Sequence, residues 1–255
     1  MTGGRRVAEI AVSPVQGFAL LQVEEVVLGP QGVAENRRFC LIDGNGARLR
    51  SSATAWTSRV RAEYDAGLER LVVSFPDGDT VEGTAIAAGP EVRFEKGGWI
   101  VEGRILEGPW SDGLSRVAGH PVSLVRTTEP GTFREMPVTI LSRASLARLE
   151  RETGVPLDSR RFRMLFLLDG CDEHEEDEWT GRILCVGGST IRVGGPVPRC
   201  AVITRDPATG TAAVDPLRVL AGYRAAMADG GVPFGVYATV ETGGPVRIGD
   251  PVEIV

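Results

Sequence analysis

Lysine is nearly absent from this 255-residue chain, where Lys96 stands alone against 27 arginines. A Schiff-base enzyme or a Walker-type nucleotide loop would have to use Lys96, and its Phe-Glu-Lys-Gly-Gly context suits neither. Histidine is scarce as well. His120 and His174 are the whole complement, too few for a histidine-rich metal site. The four cysteines, Cys40, Cys171, Cys185 and Cys200, form no Cys-x-x-Cys pair, and four in a chain this long are not a disulfide framework. No apolar run exceeds the five residues 164–168, against about 20 for a membrane helix. The two N-terminal arginines precede no apolar core of signal-peptide length. The expectation is a soluble, cytoplasmic protein without a membrane partner. A net charge of −6 argues against broad nucleic-acid binding. The spacings His-Glu-x-x-His, Gly-x-Ser-x-Gly and Gly-x-Gly-x-x-Gly are all missing.

What is present is turn-rich and strand-rich, with 33 glycines and 16 prolines. Asp43-Gly44-Asn45-Gly46 is flanked by segments 38–43 and 47–50, and Pro76-Asp77-Gly78-Asp79 by 71–75 and 80–86. Both read as hairpins, because Gly and Asn accept positive φ. Short strands at regular spacing suggest a barrel or sandwich. A change of domain is expected within or just after the Gly-rich segment 103–119. Beyond it, residues 138–142, 162–168, 182–186, 190–193, 200–204, 234–239 and 246–255 read as strands. One helix is expected over 145–154, with Gly154 as its C-cap, and another from Asp215-Pro216 to about 229. The class is mainly β (α+β), with two or more helices.

Cys200 follows Pro196-Val197-Pro198-Arg199 and sits at a loop-to-strand junction. A thiol beside cationic groups suits metal ligation or attack on sulfur; a buried structural cysteine is the plainer alternative. Arg160-Arg161-Phe162-Arg163 leads into an apolar segment, and strand alternation would put Arg161 and Arg163 on one face. They would grip a phosphate, carboxylate or polar heterocycle, or reach solvent and pair with Glu. Arg37-Arg38 pose the same question beside the first hairpin. The acidic run 171–178 reads as a solvated loop before a cation site. Cys40, Cys185 and His120 lie in apolar context and read as packing.

The second half resembles the MOSC family, the molybdenum-cofactor-sulfurase C-terminal domain. The matching elements stand in family order: Leu141-Ser142, Ala144-Ser145-Leu146, Arg161-Phe162-Arg163, Gly181-Arg182, Val197-Pro198-Arg199-Cys200, Thr204, Asp206-Pro207, Thr209-Gly210, Tyr223-Arg224 and Ile248-Gly249-Asp250-Pro251. The first half is similar to the β-barrel domain that precedes MOSC in many members, through Ser13-Pro14-Val15 and Asn36-Arg37-Arg38-Phe39. The resemblance implies an N-terminal β-barrel over 1–115 and a MOSC β-barrel over 116–255, with a molybdenum cofactor (molybdopterin) cradled between them.

It also implies roles for single residues. Cys200 becomes a molybdenum ligand or a carrier of sulfur. Arg38 holds the cofactor's phosphate, Arg163 with Arg161 contacts the pterin, and Ser142, Ser145 and Thr204 supply polar contacts. The family's Pro-Val-Lys-Ser is here Pro14-Val15-Gln16-Gly17, and its Pro-Asn after Arg-Phe-Arg is Met164-Leu165. Three functions follow for testing. One is reduction of N-hydroxylated small molecules with an external electron donor, as in amidoxime-reducing relatives. Another is a persulfide relay from a cysteine desulfurase through Cys200. The last is a non-catalytic small-anion binder.

Overall fold

A computed structural model describes residues 4–50, 54–96, 99–128 and 136–255. The backbone is mostly strand, with three α-helices among the described residues. The chain divides into two compact units. The first comprises Met1–Ala11, Gln22–Val33 and Glu135–Val255; the second comprises Val12–Leu21 and Ala34–Arg134.

The first unit is built on an eight-stranded sheet. Its strands run in the order Val252–Ile254, Ile183–Val186, Ser189–Arg199, Val232–Thr242, Val138–Ser142, Phe166–Asp169, Arg6–Val12 and Leu21–Val23. All neighbours with a stated register are antiparallel except Val138–Ser142 and Phe166–Asp169, which are parallel. A parallel pair needs a crossover, and helix α2 (Arg143–Thr153) lies within that connection. Its C-terminal end lies at Gly154 as expected, whereas it begins at Arg143, two residues before the expected start at 145. The Ser142 hydroxyl accepts from the Ser145 amide at 3.0 Å, and Gly154 closes the helix at φ 72°. Leu146 and Leu149 turn inward from α2. They join Leu141, Phe162, Leu167, Ile203, Leu220 and Phe234 in one buried cluster.

Helix α3 (Pro216–Tyr223) begins as expected, with Asp215 accepting from the Arg218 amide at 3.0 Å. It stops at Tyr223 instead of about 229. Arg224 leaves helical geometry at φ −101°, ψ 133°, and its side chain pairs with Asp177.

The second unit holds two sheets. One runs Phe39–Asp43, Val122–Thr127, Trp99–Ile105, Glu91–Lys96; the other is the meander Arg61–Asp65, Arg70–Ser74, Thr80–Thr84. The 76–79 hairpin forms as read, with Ser74 opposite Thr80 and Gly78 at φ 94°. At the 43–46 turn the Asp43 carboxylate accepts from the Asn45 and Ala47 amides, but the following segment contributes only an isolated Ile42–Arg48 bridge. Helix α1 (Trp110–Ala118) was not foreseen, and the boundary drawn between 115 and 116 falls inside it. Its signal was the inward set Trp110, Gly113, Leu114, at the i, i+3, i+4 spacing of one helix face. Glycine content hid it. His120, read as packing, is exposed, whereas Cys40 is buried and Cys185 half-buried.

Gly113 shows why that helix tolerates glycine. A Cβ there would lie 2.5 Å from the Phe75 ring, which is buried in the same core as Trp110. Alanine would gain about 1 kcal/mol of helix propensity, yet overpacking a closed core costs about 1–3 kcal/mol. Gly113→Ala is therefore expected to destabilise by about 1 kcal/mol, read as a lower urea midpoint at unchanged slope. A raised midpoint would refute the packing account.

Candidate functional site

The strand Ser189–Arg199 carries the Val-Pro-Arg motif to its end. Its pairing with Val232–Thr242 survives Pro196 and Pro198, but with register shifts at both. Pairing stops at Arg199. Cys200 follows in extended conformation (φ −127°, ψ 175°), and residues Ala201–Thr204 form a 3-10 turn, not the strand expected over 200–204. In that turn Ile203 is buried in the unit's core, the Ile203 amide donates to the Cys200 carbonyl at 3.2 Å, and Cys200 itself is exposed. The buried-cysteine alternative is thereby removed.

The arginine cluster also departs from its expected form. Ser159–Phe162 is a 3-10 turn capped by the Asp158 carboxylate, and Arg163 is left-handed at φ 54°. Strand alternation therefore does not apply, and Arg161 and Arg163 do not share a strand face. Arg160 folds back on Asp158, holding that carboxyl below its usual range despite burial. Arg161 is 7 % exposed. Its guanidinium donates to the Thr204 carbonyl at 3.1 Å and to Asp206 at 2.8 Å. Its Nε is buried without a hydrogen-bond partner. The other Asp206 oxygen accepts from the Ala208 and Thr209 amides, each at 3.0 Å, which forms the Asp-Pro-x-Thr-Gly turn. The Thr204 hydroxyl donates to the Ala201 carbonyl at 2.7 Å.

Arg199 points away from Cys200 into the unit. It donates to the Phe162 and Phe234 carbonyls, each at 2.8 Å, and contacts Met164 Sδ at 2.9 Å. Met164 and Leu165, the apolar pair in place of the family's Pro-Asn, are both buried.

Ser142 and Ser145 are brought together, but both are fully buried. Their hydroxyls lie 2.6 Å apart, and Ser145 donates to Glu176 at 2.9 Å and accepts from the His174 amide at 2.8 Å. Glu176 in turn accepts from the Ser142 amide at 3.3 Å. These contacts close the network on itself and leave neither serine facing a ligand. The acidic run is solvated in part: Asp172, Glu173 and Glu178 are exposed while Glu176 is buried, and no metal-holding group is found there among the described residues. It forms a 3-10 turn, Glu175–Trp179, with Glu175 paired to Arg5, Glu173 to Arg148 and Arg151, and Asp177 to Arg224. Burial pushes the Glu176 carboxyl up.

Arg38 belongs to the second unit. It donates to the Thr127 carbonyl at 3.1 Å and lines a cleft of about 640 Å³ with Glu91, Arg93, Arg104 and Arg126. Arg104 and Arg126 stand directly opposite on adjacent strands. Such like-charge pairs are unfavourable, and here each has a carboxylate partner, Glu91 and Glu69 respectively. In the same unit Gly17 has φ 95°, a conformation a serine would adopt only with strain.

The MOSC domain family matches residues 112–253, a stretch that contains the Cys200 turn and the Arg161 turn. The chain belongs to the MOSC domain family. It is 35% identical over 123 residues to mitochondrial amidoxime reducing component 2 of Bos taurus, covering 46% of the chain and 36% of that protein. Human mitochondrial amidoxime-reducing component 1 is 34% identical over the same length. A molybdenum cofactor sulfurase of Danio rerio is 25% identical over 262 residues, covering 89% of the chain and 31% of that protein. The MOSC chain thus spans about a third of the length of these relatives. Among solved structures, the YuaD protein of Bacillus subtilis aligns over 99% of the chain and 96% of its own, at 12% identity and TM-score 0.49. Among the described residues no helix is long and apolar enough to cross a membrane.

His174 offers a pH test of the network beside α2. Burial first, then the Arg224 charge, lowers its pKa, and its Nε2 is buried without a partner. The folded state therefore binds fewer protons than the unfolded state, whose histidine titrates near about 6.5. Stability is expected to fall as pH drops below that value. Glu176, with its raised pKa, acts in the opposite sense. The difference between wild type and His174→Gln isolates the histidine. The gap in melting temperature should shift in favour of the variant from pH 7.5 to 5.5, and a constant gap would refute the assignment.

Proposed function

We propose that this MOSC protein binds a molybdenum cofactor through Cys200 and reduces N-hydroxylated small molecules with electrons from an external donor. The exposed Cys200, one residue past the end of the Ser189–Arg199 strand, carries the reading. Soft thiolate sulfur suits a soft metal centre, and an exposed sulfur on a pinned turn presents a ligand without a large rearrangement. The unpartnered Nε of Arg161 is the second fitting feature, a buried cationic donor with capacity for one acceptor atom of the cofactor.

In this reading Cys200 ligates the metal, and Arg161 and Arg163 face the pterin. Ser142 and Ser145 support α2 and the 174–179 turn instead of touching cofactor. The Thr204 carbonyl holds Arg161 in place, while its hydroxyl is engaged within its own turn. When bound, molybdenum supplies two-electron oxygen-atom exchange with the substrate. The overall reaction cleaves the N–O bond, consumes two electrons and two protons from outside the substrate, and releases the amine or amidine and water.

A persulfide relay through Cys200 is the second reading. It is favoured by Gln16 and Gly17 standing where the family's phosphate-binding Lys and Ser stand, and it needs a cysteine desulfurase partner instead of an electron donor. The deciding measurement is metal and oxidised-pterin analysis of the chain purified from a host that makes molybdenum cofactor. Molybdenum and pterin are expected at close to equal amounts with protein, and the molybdenum should be lost in Cys200→Ala. Absence of both, with a mass gain of about 32 Da on Cys200 after desulfurase and cysteine, would transfer the conclusion to the relay.

A further inference from the structure

Two arginines tie the Cys200 turn to the Ser159–Phe162 turn, in opposite directions. Arg199, just before Cys200, donates to the Phe162 carbonyl at 2.8 Å, with its guanidinium 5.7 Å from the Phe162 ring centroid. Arg161, in the facing turn, donates back to the Thr204 carbonyl at 3.1 Å and to Asp206 at 2.8 Å. One link therefore enters the 200–206 segment before the cysteine and the other after it. Between them lies a single 3-10 turn, Ala201–Thr204. Ile203 is its buried side chain, and the Ile203 and Arg205 amides make 3.2 Å bonds to the Cys200 and Val202 carbonyls. Helical turns this short do not hold themselves.

We infer that Arg161 and Arg199 are positioning residues that fix where the Cys200 sulfur sits, acting through the backbone on either side of it. The relevance of that position to chemistry rests on the reading of Cys200 as the reacting thiol. Arg161 has two parts in this account: its Nη atoms clamp the turn, and only its Nε is left for a ligand. Asp206 is the necessary third member. One of its oxygens organises the 206–210 turn while the other neutralises Arg161, so the guanidinium is buried as an ion pair. A lysine at 161 would keep the charge and lose the planar fork that reaches a carbonyl and a carboxylate together.

The test uses the full chain and the variants Arg161→Met, Arg161→Lys and Asp206→Asn, with two readouts. The first is amide hydrogen exchange by mass spectrometry, comparing 200–206 with the hairpin 183–193. The second is native iodoacetamide labelling of Cys200, referenced to the half-buried Cys171. Arg161→Met is expected to speed exchange over 200–206 by about ten- to a hundredfold, the loss anticipated for charge-assisted bonds, with 183–193 unchanged. Cys200 labelling should rise about threefold relative to Cys171 as its access loosens. Arg161→Lys and Asp206→Asn, which preserve volume, should give smaller changes in the same direction.

Unchanged exchange over 200–206, or exchange raised equally over 183–193, would overturn the inference, the latter because it marks a general stability role. Local exchange without a change in labelling would also overturn it. Neither readout involves molybdenum. A chain that binds no molybdenum yet loosens locally would refute the proposed function and leave the clamp standing.

Discussion

A buried guanidinium needs acceptors for its N–H groups, and in the first unit the best acceptors are carbonyls at the ends of short turns. Arg161 and Arg199 meet that requirement by bonding to each other's segments. The consequence reaches well beyond two side chains. Phe162 is drawn against Phe234, with ring centroids 4.9 Å apart, and Ile203 enters the same core as Leu141 and Leu220. The site's geometry and the unit's packing therefore share one origin. Cys200 is left at the surface while Arg199 before it and Ile203 after it face inward.

A second arginine-and-carboxylate layer surrounds α2. Glu176 lies at the centre, fully buried and hydrogen-bonded to the residues that cap the helix. Around it, Glu173, Glu175 and Asp177 each meet an arginine from a different part of the chain. Surface pairs of this kind contribute little singly. Their effect here is to hold the 174–179 turn over the start of α2, so that Ser142 and Ser145 remain closed to solvent. This is why two serines within the family-matched stretch are closed off, while Cys200 is exposed.

Local signals were readable wherever one residue type satisfies one backbone demand. Gly78 and Gly154 take positive φ, Asp215 accepts an amide at the start of its helix, and Pro216 sits in the first helical turn. Segments whose pattern suits two structures were not readable. Ala-Val-Ile-Thr at 201–204 alternates as a strand does, yet it coils because Arg161, some forty positions earlier, takes the Thr204 carbonyl that a strand neighbour would have used. Arg161 and Arg163 would alternate together on a strand, and the left-handed Arg163 breaks that relation. Glu176 gave no sign of burial within an acidic run, since its partners lie over thirty residues away.

Composition and motif order by themselves determined the class: a strand-rich chain with one cysteine in a MOSC-like setting. Those properties depend on residue identity and near neighbours, which a sequence states outright. The tertiary structure decided which arginines are available to a ligand, which serines are closed, and which way Cys200 faces. Each of these depends on a hydrogen-bond acceptor supplied from a distant segment, and burial makes the choice of acceptor energetically decisive.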